Sequence, residues 1–224
     1  PPRTMHQLKD AIPVSDEFTL LYADASLLVA NKPSRLLSVP GRGEEKQDCL
    51  IRRVQTQYRD ALIVHRLDYD TSGLLVLARG KAMHRSLSIL FQDRKVEKRY
   101  VAVVDGRMES ESGEVNLPLI VDWPNRPRHI VDFTIGKPSL TLYRVLSYDA
   151  ATHTTRVALT PETGRTHQLR VHMQSLGHPI LGDTLYATEQ ALAKADRLQL
   201  HAEYLSFAHP QTGEMMSFNC PAEF

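Results

Sequence analysis

Cysteine is nearly absent: Cys49 and Cys220 are the only two in 224 residues, far apart and in no CxxC pair. That excludes a disulfide framework and a cysteine zinc site, and leaves two reduced packing residues. Long apolar runs are missing as well. "LLVLA" (74–78) and "LLVA" (27–30) fall far short of the roughly 20 apolar residues that a membrane helix needs. No charged-then-apolar leader opens the chain, so the expected compartment is the cytoplasm and no membrane partner is expected. Net charge is missing too, since 27 Lys and Arg stand against 26 Asp and Glu. The glycine patterns of dinucleotide and P-loop sites are absent, as is HExxH. His167 and His172 are five apart and do not share a helical face as zinc ligands four apart would. The easily read cofactor and metal classes are thereby removed.

What is present is the balance of a globular protein, 42% hydrophobic and 24% charged, in a chain long enough for a sizeable core. The basic residues are bunched, in "RRVQTQYR" (52–59), "RGKAMHR" (79–85), "RKVEKRY" (94–100), "RPRH" (126–129) and "GRTHQLRVH" (164–172). Such clusters can form a polyanion-binding stripe on a nearly neutral protein, and for any one cluster a solvated helix face is an equal reading.

Residues 1–17 read as a tail. "FTLLYADASLLVANKPS" (18–34) predicts a hairpin broken at Asp24-Ala25 and ended by Pro33, and "SVPGRGEE" is a loop. Asp48 reads as an N-cap to a helix with Ile51, Val54 and Tyr58 on one face. Met83, Leu87, Leu90 and Phe91 predict a second helix over 81–92 with those side chains in the core. "YVAVV" (100–104), "LTLYRVLSY" (140–148) and "TTRVALT" (154–160) carry strand composition, and 200–207 with 214–220 a closing hairpin. "THQLRVHMQSLG" (166–177) predicts a helix with Leu169, His172, Met173 and Leu176 on one face, stopped by Gly177 and Pro179. The segment 106–139 is the least regular and reads as a projecting loop system. Strands outnumber helices and short turns join them, which predicts an α+β fold with a mixed, largely antiparallel sheet and flanking helices.

"VHRLDYDTSGLLVLAR" (64–79) places Asp68 beside two potential cations at the mouth of a buried-looking run. Burial alone raises a carboxylate pKa, so an acid needed in its ionised form inside a cleft requires a cation partner. Arg170 is the candidate, against the default of an ordinary salt bridge at the edge of the core. Asp68, Asp70, Glu162 and Asp183 could hold Mg²⁺ in a nuclease, but the surrounding Arg and Lys would compete with the metal.

Three segments, "HRLDYDTSGLLVLAR", "KRYVAVV" and "TPETGRTHQLRVHMQSLGHPILGDTLY", resemble in order and spacing the signature segments of the RluA-type family of RNA pseudouridine synthases. "NKPSRLLSVPG", "LPLIVDWPNRP" and "LHAEYLSFAHPQTG" extend the likeness from about Phe18 to the C-terminus. The resemblance implies one catalytic domain over 18–224 with the pseudouridine synthase fold, and no S4-like RNA-binding module. It implies an isomerase that breaks the C1′–N1 bond of a uridine, turns the uracil and joins C5 to C1′, with no cofactor or metal. Asp68 is then the essential aspartate, as nucleophile on C1′ or base on the C2′ proton. Tyr100 is the tyrosine that stacks on the base or moves the C5 proton, and Arg170 is the partner of the aspartate. Arg66 fills the place of the flipped nucleotide, while Lys98, Arg99, Arg126, Arg128, Arg165 and His167 are candidate RNA contacts. Leu74 and Leu169 support the pocket, and His65 makes a structural hydrogen bond.

The implied partner is structured RNA, a stem-loop of 23S rRNA with the tRNA anticodon stem-loop as a further candidate, bound by a monomer and read largely by shape. The "DYD" after HRL and the loops 40–47 and 106–139 would tune the target. The competing readings are a non-catalytic protein that binds structured RNA and a metal-dependent nuclease.

Overall fold

The computed structural model describes residues 16–224, so most of the expected N-terminal tail lies outside the described residues. The predicted first hairpin forms: β1 (Thr19–Ala23) pairs antiparallel with β2 (Leu27–Lys32). Its turn is fastened by the Asp24 carboxylate, which accepts from the Ser26 and Leu27 amides at 2.7 and 2.9 Å. Helix α1 (Leu50–Gln55) is shorter than expected and its N-cap is Cys49. Asp48 instead turns to Arg53, in a two-pronged pair at 2.8 and 2.7 Å, so an i+5 salt bridge replaces the expected cap.

Strands β3 (Ala61–Ile63) and β4 (Ser72–Arg79) follow, then α2 (Lys81–Gln92), whose limits agree with the sequence reading. The uninterrupted apolar run in β4 has a direct cause, because both faces of this strand are covered. Leu75 and Leu77 pack with Leu50 and Val54 of α1, while Leu74, Val76 and Ala78 pack with Leu87 of α2.

The rest of the chain supplies β5 (Glu97–Asp105), β6 (Ser112–Asn116), β7 (Leu119–Val121), β8 (His129–Val131), β9 (Leu140–Asp149) and β10 (Thr154–Pro161). Helices α3 (Gln168–Ser175) and α4 (Glu189–Ala193) precede β11 (Leu200–Ala208) and β12 (Met215–Asn219). A ten-stranded sheet runs β1-β2-β4-β11-β5-β10-β9-β6, with β3 beside β4 and β12 beside β11. The region 106–139 is more regular than expected. β6 extends the sheet edge on β9, and β7 with β8 makes a separate two-stranded ribbon.

Every described pairing in the large sheet is antiparallel except β4 with β11, where Ser72 faces His201 and Gly73 faces Ala202. Here the two backbones come unusually close. Gly73 has φ +122°, and a Cβ on it would stand 2.3 Å from the Ala202 carbonyl oxygen, so no other residue fits. The joint is pinned by Ser72 Oγ and His201 Nδ1 at 2.8 Å, both buried. Among the described residues no helix is long and apolar enough to cross a membrane.

Candidate active site

The loop 64–71, between β3 and β4, is tied down by the chain just after β2. Ser38 Oγ donates to the Leu67 carbonyl (2.8 Å) and accepts from the Leu67 amide (3.1 Å), and Ser34 Oγ donates to the Asp70 carbonyl (2.7 Å). Beneath them Lys32 is fully buried, and its ammonium donates to the carbonyls of Pro33, Leu36 and Tyr69 at 2.8, 2.6 and 3.2 Å. Burial pushes its pKa down to about 7, while the charges of Asp68 and Asp70 pull the other way. A buried cation thus clamps the carbonyls on either side of the loop that carries Asp68.

Helix α3 brings the opposite wall. It begins at His167, which adopts a left-handed φ of 56°, and one turn later it presents Arg170, whose side chain is almost wholly buried. The guanidinium is shared. Nε and Nη2 donate to Asp183 Oδ2 and Oδ1 at 2.9 and 2.7 Å, and Nη1 reaches Asp68 Oδ2 at 3.2 Å. Burial works against its charge, but the Asp183 hydrogen bonds and the charges of Asp183 and Asp68 outweigh it and hold the pKa above the ordinary arginine value. Arg170 is therefore a fixed cation oriented by one acid and offered to a second. Asp68 keeps about 29% of its side chain exposed, so the acid that Arg170 orients is also open to a substrate.

Tyr100 on β5 completes the floor. Burial first, and then the charge of Asp68, raise its pKa, so the phenol stays protonated. The Tyr186 hydroxyl accepts from the His129 amide at 2.8 Å and lies 2.6 Å from His167 Nδ1. The other ring nitrogen of His167, Nε2, lies 4.0 Å from Asp68 Oδ2. The Tyr186 ring also lies under the guanidinium groups of Arg170 and Arg128, at 5.3 and 5.5 Å.

Around these groups is an open cleft of about 840 Å³ lined by Arg66, Asp68, Phe91, Lys98, Tyr100, Glu162, Gly164, Arg165, His167 and Arg170. That is room for an extruded nucleotide. His65 forms part of the wall, accepting from the Val76 amide through Nε2 at 3.0 Å and stacking on Phe91 at 4.4 Å. Phe91, expected only in the core, faces the cleft as well.

Burial lowers the His65 pKa to about 3, with Lys98 adding to the shift, and lowers that of His167 to about 4 against the pull of Asp68. Both imidazoles are neutral when folded, yet take up protons below about 6.5 when unfolded. The unfolded chain therefore binds more protons than the folded one between pH 6.5 and about 4, and stability falls as pH is lowered through that window. Melting temperature is expected to drop steadily from about pH 7 to about pH 4. His65→Gln, which keeps an acceptor for Val76 without a titrating ring, should flatten the drop, and an unchanged slope would remove His65 as a cause.

Of the residues singled out in the sequence, Asp68, Tyr100, Arg170, Arg66, Lys98, Arg165 and His167 all line this cleft. Arg99 does not. It faces the other side of β5, pairs with Glu203 at 3.0 Å and lies over Tyr204, because successive strand residues point to opposite faces. Arg126 and Arg128 stand off the cleft on the ribbon, Arg126 against the exposed Trp123 at 3.8 Å. Leu169 lines the cleft, whereas Leu74 is buried on the α2 side of the sheet. Lys32 and Tyr186 had no assigned role in the sequence, and Asp183 was weighed only as a metal ligand. With both oxygens on Arg170 it is not available to one, and no group of three or more His, Cys, Asp or Glu among the described residues is placed to hold an ion.

Comparison with known proteins identifies the family. A sequence model of the RNA pseudouridylate synthase family matches residues 26–175. The chain is 53% identical over 205 residues to the dual-specificity RNA pseudouridine synthase RluA of Escherichia coli K12, covering 92% of this chain and 93% of that protein. Against the protein of that name from Vibrio parahaemolyticus the identity is 50% over 216 residues, covering 95% and 86%. Among solved structures, human RNA pseudouridylate synthase domain containing 1 superposes with a TM-score of 0.79 at 29% identity, covering 95% of this chain and 86% of that one.

Proposed function

Because the chain belongs to the RNA pseudouridylate synthase family and isomerises uridine in RNA to pseudouridine, we propose that Asp68, Tyr100 and Arg170 carry out that reaction in the cleft described above. The observation that carries this reading is the sharing of Arg170. A guanidinium fixed by one buried acid is offered to a second acid that opens into a cavity of nucleotide size. A protein that only bound RNA would have no need of such a carboxylate. In this reading Asp68 attacks C1′ or takes the C2′ proton, Tyr100 stacks on the base and serves the C5 proton, and Arg66 takes the place of the flipped nucleotide.

The RNA is read as a stem-loop of 23S rRNA and, as a second substrate, the tRNA anticodon stem-loop, a pairing that accords with the dual specificity in the names of the relatives. Residues 18–224 act as one catalytic domain, as a monomer in the cytoplasm. Lys98, Arg165 and His167 contact RNA in the cleft, and Arg126 and Arg128 engage the flanking stem from the ribbon.

The test is pseudouridine mapping of 23S rRNA and tRNA from cells that lack the gene, with and without the wild-type gene restored. Loss and return of one position in each RNA is the expected result. Loss in only one class would end the two-substrate reading, and no loss in either, together with no product from the purified protein on stem-loop RNA, would end the enzyme reading.

A further inference from the structure

The reaction needs one thing that Asp68, Tyr100 and Arg170 leave unsupplied. When C1′–N1 breaks, its electron pair leaves with N1, and the uracil becomes an anion whose charge spreads onto O2 and O4. At the sugar, Asp68 either bonds to C1′ or takes the C2′ proton. Afterwards C5 bonds to C1′ as the Asp68–C1′ bond breaks, or as the proton held by Asp68 returns to C2′, which restores the carboxylate; C5 then loses its proton while N1 gains one, which completes the pseudouridine ring. Between these events a base with a full negative charge sits in the cleft.

Lys98 is placed for that charge. It stands two residues before Tyr100 on β5, so both side chains leave the same face of the strand, and both line the cleft. The two positions lie roughly 7 Å apart along the strand, comparable to the span from the sugar carbon to the far carbonyl of a pyrimidine. The charge of Asp68, the residue that acts at the sugar, is felt by Tyr100, while the acid that acts on Lys98 is Glu162, which also lines the cleft.

The Lys98 ammonium makes no hydrogen bond or ion pair with any of the described residues. Its neighbour across the cleft is Gly164, where a Cβ would stand 3.5 Å from Nζ, so the absence of a side chain there leaves the ammonium open to a ligand. Taking a cation out of water without a partner is unfavourable, and burial does lower its pKa. A ligand acceptor relieves that cost.

Resting on the functional reading above, we infer that the Lys98 ammonium donates to a carbonyl oxygen of the flipped uracil and holds the charge of the detached base, making it a catalytic residue of this site. Turning uracil about its N3–C6 axis exchanges N1 with C5 and, with them, O2 with O4. One donor beside a carbonyl therefore meets a carbonyl before and after the turn, without moving. The same donor disfavours cytosine, whose amino group would face the ammonium at the O4 position.

The experiment is single-turnover pseudouridine formation at saturating enzyme, with RNA affinity measured beside it. Wild type, Lys98→Met and Lys98→Arg are each tested on stem-loop RNA with uridine or 4-thiouridine at the target, since sulfur accepts hydrogen bonds poorly. Lys98→Met is expected to slow the step by roughly 10²- to 10³-fold with the Kd held within about twofold, and Lys98→Arg to recover part of the rate. The 4-thiouridine penalty seen with wild type should shrink in Lys98→Met, because the two changes remove one contact.

A weakened, salt-dependent Kd with the saturated rate intact would make Lys98 a phosphate contact and overturn the inference. So would an equal thio penalty in wild type and Lys98→Met. If wild type formed no pseudouridine in any RNA, the functional reading would fall first, and this inference with it.

Discussion

Asp68→Asn is expected to lower single-turnover pseudouridine formation by at least roughly 10⁴-fold while leaving the affinity for stem-loop RNA nearly intact. The asparagine amide keeps the shape of the carboxylate but can neither attack C1′ nor take a proton. Folding should survive, because Arg170 keeps its two hydrogen bonds to Asp183 when the third, at 3.2 Å, is weakened. Binding should hold or tighten slightly, since the change removes a negative charge from a surface that meets phosphates. The measurements are product formation at saturating enzyme, Kd, and melting temperature on the same preparation. Equal losses of rate and affinity, or a large fall in melting temperature, would show that Asp68 is structural.

Asp183→Asn attacks the same site from behind and should do the opposite to stability. Asp183 is buried, with both oxygens on Arg170 and Oδ1 also accepting from the amides of Leu185 and Tyr186 at 3.0 and 3.2 Å. The neutral amide leaves a buried guanidinium with Asp68 alone, and breaking a buried pair from one side costs about 3–5 kcal/mol. In a chain of this size that corresponds to a melting temperature lower by roughly 10 °C. Turnover should fall with it, because Asp183 accepts the two hydrogen bonds that orient Arg170 toward Asp68. The double variant Arg170→Met with Asp183→Asn should recover much of the stability and none of the activity, since it removes the orphaned charge while the asparagine Oδ1 still accepts from the Leu185 and Tyr186 amides. If Asp183→Asn melted like wild type, Asp183 would not be the anchor of Arg170.

The two halves of this site differ in how legible they were. The strands and the α2 boundaries follow from local pattern: Met83, Leu87, Leu90 and Phe91 repeat at helical spacing whatever the rest of the chain does. Asp68, Tyr100 and Arg170 were named through a family resemblance, and the fold places them around one cleft. Lys32 and Asp183 could not be read in the same way. Each acts through partners chosen by the tertiary fold, the Tyr69 carbonyl 37 residues away for one and the inner edge of Arg170 for the other. Arg99 is a different case. Once Tyr100 is placed inward on β5, the alternation of a strand already directs Arg99 outward, to Glu203. The ribbon was hidden because its strands, Leu119–Val121 and His129–Val131, are too short to show a period.

The lone parallel joint also has a meaning in time. β11 lies between β4 and β5 in the sheet, yet it begins only at Leu200, long after β4 ends at Arg79 and β5 at Asp105. A ribosome that has emitted the Asp68 loop and Tyr100 has emitted two strands whose shared neighbour does not yet exist. Until Ala202 settles against Gly73, the floor of the cleft cannot close, however complete its walls. Such a sheet exchanges speed of folding for order of assembly, because its decisive contacts are among the most distant in the chain. The emerging polypeptide thus carries its aspartate through synthesis, near the RNA of the ribosome that makes it, before the sheet behind that aspartate is finished.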